Sequence, residues 1–122
     1  MTESAMTASI ATRKTEHSRL ADIDWNRLPF GRIFTDHMLS MDYRDGAWQK
    51  PEIIPFGPLS LYPGNATLHY GQAIFEGMKA IRAKDGRITL FRPALNARRF
   101  NESSIRLCMP TIDEDLFIEL VK

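Results

Sequence analysis

The sequence predicts an α+β domain, an antiparallel sheet with helices packed against it. Three observations predict it. Two Asp-Gly dipeptides, Asp45-Gly46 and Asp85-Gly86, each sit between short runs rich in β-branched and aromatic residues, which is a hairpin signal. Pro93 follows the second hairpin and opens a stretch with helical spacing. Thr111 and Glu114 then stand at capping-box spacing before a final amphipathic run.

Residues 1–22 are expected to be a disordered N-terminal tail. Met1 to Arg19 is rich in Thr, Ala and Ser and has few large apolar side chains. Arg13 and Lys14, with few acids before Glu16, leave an organellar transit peptide open, although no amphipathic pattern accompanies them. Residues 23–122 are expected to form one folded domain, starting near Ile23-Asp24-Trp25. Thr35 to Tyr43 alternates, placing His37, Leu39, Met41 and Tyr43 on one face of a half-buried strand. Asp45-Gly46 turns the chain, and Ala47 to Ile54 returns as its partner, with Pro51 marking an edge or an interruption. Pro55 to Pro58 is a loop, Leu59 to Tyr62 a short strand, and Pro63-Gly64-Asn65 a turn.

Gly77 to Arg82 and Arg87 to Phe91 are the strands of the second hairpin. The helix from Pro93 should run to about Leu107, before Pro110. Phe100, Ser104 and Leu107 form its small-to-apolar face, and Asn96, Arg99 and Ser103 a neighbouring polar one. The terminal helix, Asp113 to Lys122, carries Leu116, Phe117, Leu120 and Val121 on one side. Its apolar face is still running at Lys122, which reads as an element cut short and the chain as a fragment.

Composition narrows the function classes. The chain has 122 residues, 43% of them hydrophobic, enough for one core. A net charge of +1 does not call for a nucleic-acid partner. Locally the balance differs: from Lys79 to Arg106 eight basic residues face two acids, a charge of +6. Such a segment is either a solvated basic face, with Arg99 paired to Glu102 at i+3, or an anion site, because a guanidinium on a rigid helix suits bidentate capture of phosphate or carboxylate. A nucleic-acid interface is disfavoured because only Phe91 and Phe100 interleave those basic residues. One cysteine, Cys108, excludes an internal disulfide and a Cys-based metal cluster, and its position beside Met109 suggests a buried, inert thiol. His17, His37 and His69 stand apart, so no metal site is expected, and His69 is read as structural. Asp36 and Glu76 are expected to pair with nearby arginines. No apolar run reaches the roughly 18 residues of a spanning helix, so no membrane span is expected.

The strings LHYGQAIFEGMKA, LFRPALNARRF and SIRLCMP, with FGRIFTDHMLSMDY and GAWQKPEIIPFGPLSLYP upstream, form a composite pattern from about Trp25 to Lys122. It resembles the small N-terminal domain of branched-chain amino acid aminotransferases, members of the fold-type IV group of pyridoxal-5'-phosphate (PLP) enzymes. D-amino acid aminotransferases and aminodeoxychorismate lyases share the general layout and are the alternative. The resemblance implies transfer of the amino group between leucine, isoleucine or valine and 2-oxoglutarate, with PLP as cofactor, in a cytoplasmic homodimer. It implies that Arg99 binds the PLP phosphate. It implies that Phe30 and Phe75 line the pocket for the substrate side chain, and that Tyr70 reaches the partner subunit's pocket. Ordinary core packing is the alternative for these three aromatics. The lysine that forms the Schiff base would lie in the large domain, past Lys122, so this chain is expected to carry no catalytic residue of its own and to be inactive alone.

Overall fold

The computed structural model describes residues 10–122. They form two compact units that divide between Leu59 and Ser60. In the first, β1 (Ala11–Thr12), β2 (His37–Ser40), β3 (Tyr43–Arg44), β4 (Ala47–Trp48) and β5 (Glu52–Pro55) are the strands. β2 and β5 pair antiparallel, with Met38 opposite Ile54 and Leu39 opposite Ile53. β3 and β4 continue the same excursion as a tight hairpin. Both turn residues have positive φ, 52° at Asp45 and 78° at Gly46, the pair of left-handed conformations that matches the twist of flanking strands. Tyr43 and Trp48 face each other across this turn with rings edge-on, 5.1 Å apart. The expected first hairpin is therefore present, but it is broken at Met41-Asp42 and around Pro51, which has no N–H for a ladder. Its expected face is not uniformly covered: His37 and Met41 are half-buried, whereas Leu39 and Tyr43 are exposed.

Of the expected tail, residues 1–9 lie outside the described residues, and the question of a transit peptide lies largely there. From residue 10 onward it has partners in the rest of the unit. β1 lies parallel to β5, and Arg13 donates its N–H to the Ile53 carbonyl at 2.8 Å. Ser18 Oγ and the Arg19 N–H donate to the Asp36 carboxylate at 2.6 and 3.0 Å. The Arg19 guanidinium reaches the Phe34 and Thr35 carbonyls, and the Thr15 N–H reaches His37 Nε2 at 3.0 Å. The Ser18 hydroxyl first, then the Arg19 N–H, holds the Asp36 carboxyl below the usual range. Residues 34–37 give this polar, low-hydrophobicity stretch partners that composition cannot reveal.

The second unit holds α1 (Ala66–Tyr70), β6 (Ala80–Arg82), β7 (Ile88–Leu90), α2 (Pro93–Arg106) and α3 (Glu114–Val121). Leu59 to Tyr62, expected as a strand, makes no ladder. The short helix α1 takes Asn65 as N-cap, accepting from the Thr67 N–H at 2.9 Å, and ends at Gly71 in the left-handed region. β6 and β7 pair antiparallel around a turn in which the Gly86 N–H meets the Ala83 carbonyl at 3.0 Å. Gly86 sits at φ 85°, which glycine adopts without a Cβ clash. The paired part is shorter than expected, because Gly77 to Lys79 has no strand partner.

α2 starts at Pro93 as expected. Ala97 and Ser104 are buried and Phe100 is half-buried, but Leu107 is exposed just past the last turn. The helix ends in a Schellman arrangement: the Met109 N–H reaches the Ser104 carbonyl at 2.8 Å, and the Cys108 N–H reaches the Ile105 carbonyl at 3.1 Å. Cys108 occupies the left-handed position at φ 52° and is exposed, not buried. α3 is capped by Asp113, which accepts from the Leu116 N–H at 2.8 Å, so the cap falls two residues after Thr111. Asn101 clamps the backbone of Ile112 with two bonds, 2.8 and 2.9 Å, and Phe100 meets Phe117 at 5.2 Å. These contacts seat α3 against α2. The observed α+β architecture agrees with the sequence reading.

The left-handed conformation costs a residue with a Cβ about 1–2 kcal/mol. Glycine there loses part of that gain through a more disordered unfolded chain, about 0.4–1 kcal/mol. Cys108→Gly should therefore stabilise the protein by roughly 0.5–1 kcal/mol and raise the thermal midpoint by a few degrees. A lower midpoint in a circular-dichroism melt would show that the Cys108 side chain contributes more than its backbone strain costs.

Candidate functional site

The site grows out of the segment Gly71 to Lys79, which belongs to no sheet and begins with a tight turn, left-handed at Gly71 and with the Ala73 N–H on the Gly71 carbonyl at 2.8 Å. Its exposure alternates residue by residue: Gln72, Ile74, Glu76 and Met78 are half-buried, and Gly71, Ala73, Phe75, Gly77 and Lys79 are exposed. That is the period of a strand. What takes the place of a neighbouring strand is α2. Gln72 Nε2 donates to the Leu107 carbonyl at 2.7 Å, at the C-terminal end of the helix. Glu76 is bonded to Asn96 and Arg99, in its N-terminal half.

Glu76 is the centre of this arrangement. Arg99 donates from Nε to Oε2 at 2.8 Å and from Nη2 to Oε1, a fork-on-fork pairing. Asn96 Nδ2 donates to the same Oε1 at 2.9 Å and also to the Gly77 carbonyl at 3.1 Å. The Gly77 N–H adds a further bond to Oε1 at 2.9 Å. Asn96 and Arg99 can share one carboxylate because i and i+3 lie on one face of a helix. The Glu76 side chain is only 5% exposed, whereas that of Arg99 is 64% exposed. The Arg99 hydrogen bonds, with smaller contributions from Asn96 and the Gly77 N–H, outweigh desolvation and bring the Glu76 pKa down from 4.5 to about 2. The same pairing pushes Arg99 up. Arg99 thus pairs with Glu76, 23 residues away, and not with Glu102 at i+3. One edge of the guanidinium is held and the other faces solvent, so the donor set suits an oxyanion such as phosphate.

The expected aromatics are all surface residues. Tyr70 ends α1 and is 87% exposed, and Phe75, beside Glu76 on the outward phase of the extended segment, is 91% exposed. Phe30 belongs to the first unit, where it is fully exposed on the wall of an open cavity of about 810 Å³. Leu20, Trp25, Leu28, Ile33 and Phe34 contribute to that wall. None of the three is packed in a core within this chain. The structure brings Phe75 next to Glu76 in sequence and Glu76 onto Arg99, while Phe30 lies in the other unit. His69 contacts the Pro63 carbonyl through Nε2 at 2.5 Å, a structural role. Among the described residues no group of three His, Cys, Asp or Glu side chains could hold a metal ion. None of the described helices is long and apolar enough to cross a membrane. Gln72 was not singled out by the sequence; the signal that could have found it is its place, with Glu76, on one phase of a period-two segment.

The comparisons with known proteins bear on this α+β fold and on the arginine presented from its proline-started helix. The chain is 51% identical over 100 residues to "Branched-chain-amino-acid aminotransferase 2" of Bacillus subtilis (strain 168), a match that takes in 81% of this chain and 28% of that protein. It is 49% identical over 94 residues to "Branched-chain-amino-acid aminotransferase" of Mycolicibacterium smegmatis (strain ATCC 700084 / mc(2)155), with 76% and 26% covered. It is 41% identical over 115 residues to "Branched-chain-amino-acid aminotransferase 5, chloroplastic" of Arabidopsis thaliana, with 93% and 28% covered. No family model matches the chain. By sequence the chain belongs to the branched-chain-amino-acid aminotransferase family. It spans somewhat more than a quarter of the length of these curated relatives.

Glu76 binds a proton less readily in the folded protein than in the unfolded chain. Its contribution to stability is therefore complete above pH 4.5 and is lost as the pH falls toward about 2. Glu76→Gln should be less stable than the parent by a constant margin from pH 7 to pH 5, and the margin should shrink below pH 4.5. Urea midpoints measured across that range check this, and a margin that does not change with pH would show that the carboxylate is not held as described.

Proposed function

We propose that the chain is the small-domain portion of a PLP-dependent branched-chain aminotransferase, in which Arg99 binds the cofactor phosphate. The carrying observation is the Arg99 guanidinium, fixed along one edge by Glu76 and solvent-facing along the other. When bound, PLP supplies the electron sink that makes amino-group transfer possible. The chain's own part is to bind and orient. Arg99 neutralises phosphate charge, and α2 fixes where that charge is held. Phe30, Tyr70 and Phe75 are proposed as substrate-contacting residues on the strength of the motifs that contain them. Such apolar surfaces favour aliphatic side chains by roughly 0.8 kcal/mol per buried methylene and disfavour a charge buried without a partner.

The larger assembly rests on burial. Among the described residues only Ala97, Ser104 and Ile112 are fully buried, while large apolar side chains such as Trp25, Leu59, Leu68 and Phe91 are exposed. A chain of this size ordinarily hides well over half of its surface. This supports residues 23–122 functioning as a small domain within a longer polypeptide that carries the Schiff-base lysine, and a homodimer to which Tyr70 contributes.

In the whole protein, Arg99→Ala should weaken PLP binding roughly tenfold to a hundredfold, as expected for losing a charge-assisted bond. Arg99→Lys should recover only part of it, because an ammonium lacks the fork. Arg98→Ala, about 100° around the helix, should change little. Cofactor titration by absorbance reads all three, and sensitivity at Arg98 with silence at Arg99 would overturn the assignment. For the substrate, kcat/KM for leucine, isoleucine and valine should fall within about two orders of magnitude of one another. Aspartate should be poor, and aspartate turnover rivalling that of leucine would refute the apolar contact surface.

A further inference from the structure

The Glu76 carboxylate is nearly fully covered, yet its main partner is an exposed arginine. A buried acid paired this way could do one of two things to an anion at Arg99. It could compete for the guanidinium, or it could aim it. The geometry separates them. Glu76 occupies Nε and Nη2 only, and Nη1 is bonded to no group among the described residues. Nη1 lies on the edge of the guanidinium away from Nε, so a second anion can bind without displacing the first. Asn96 locks the carboxylate in turn, bridging Oε1 and the Gly77 carbonyl, and the Gly77 N–H closes the ring of donors. A competitor for Arg99 would need none of that support.

We propose that Glu76, itself held by Asn96, is a positioning residue for phosphate recognition: it grips Arg99 by the Nε–Nη2 edge and presents the Nη1 edge to the ligand. The inference rests on the reading of Arg99 as a phosphate ligand and adds what orients it. An unheld arginine must lose its rotamer freedom on binding, which weakens affinity about twofold to tenfold. The negative charge of Glu76 opposes the anion by a comparable amount, reduced by screening at physiological ionic strength. A charge-removing substitution would mix the two effects. Glu76→Asp keeps the charge and withdraws the carboxylate by one methylene, out of simultaneous reach of Arg99 and Asn96.

The test is calorimetric titration of the whole protein, freed of cofactor, with inorganic phosphate at constant ionic strength, with a thermal melt confirming that each variant is folded. The wild type should bind saturably, and Arg99→Ala should abolish binding. Glu76→Asp should bind about twofold to tenfold more weakly, and Asn96→Ala should shift in the same direction. Asn96→Ala carries the test alone if Glu76→Asp does not fold. The Arg99 Nε–H signal should broaden or shift in both variants before any phosphate is added, which a general loss of stability would not single out. Equal or tighter phosphate binding by Glu76→Asp, with Arg99→Ala still inactive, would overturn the positioning role while leaving the phosphate reading intact. Binding that survives in Arg99→Ala, or none in the wild type, would overturn the phosphate reading and this inference with it.

Discussion

One carboxylate organises the second unit. Glu76 accepts from Arg99 Nε, Arg99 Nη2, Asn96 Nδ2 and the Gly77 N–H. Without it the segment from Gly71 to Lys79 would have little to hold it, since no strand pairs with it. A segment with no ladder needs other partners, and the side-chain anchors at Gln72 and Glu76 supply them. The anchoring ties the segment to α2 at two places, the Leu107 carbonyl and the Asn96–Arg99 face. β6 follows directly from this segment and β7 leads into α2, so the hairpin is tethered at both ends.

The anchor joins structure to chemistry. A surface ion pair between two exposed groups contributes little. Here one partner is covered and hydrogen-bonded on both oxygens, and the other is left partly free. The covered partner gives rigidity and the free edge gives binding capacity. Arg99 is thus exposed without being loose. The same segment places Phe75 outward, one residue before Glu76, so the alternation that buries the acid exposes the aromatic.

Local rules made much of the fold legible. Asp45-Gly46 and Asp85-Gly86 mark turns because their chemistry is confined to a few residues. Pro93 marks the start of α2 for the same reason. Where a neighbour distant in sequence decides the outcome, the sequence is mute or misleading. Residues 10–22 look unstructured until residues 34–37 supply partners. Arg99 has a plausible local partner in Glu102, yet a tertiary one wins. Thr111 has the spacing of a cap, but Asp113 is better placed to take the Leu116 N–H. Helix α1 is too short to show a period, and the sequence reading, which took Pro63-Gly64-Asn65 as a turn, did not include it. Arg99 itself was legible only through its motif, since charge patterning alone could not choose between a solvated face and an anion site.

Hydrogen exchange at Gly77 tests the central role of Glu76 most directly. Gly77 is exposed and belongs to no sheet, so an ordinary loop amide there would exchange within the time of mixing. Because its N–H is bonded to Glu76 Oε1, and that carboxylate is bonded to α2, the Gly77 amide should exchange slowly and with the same opening free energy as the amide of Phe100 in the middle of the helix. Fast exchange at Gly77 beside a protected Phe100 would contradict the account, because the extended segment would then be opening independently of α2.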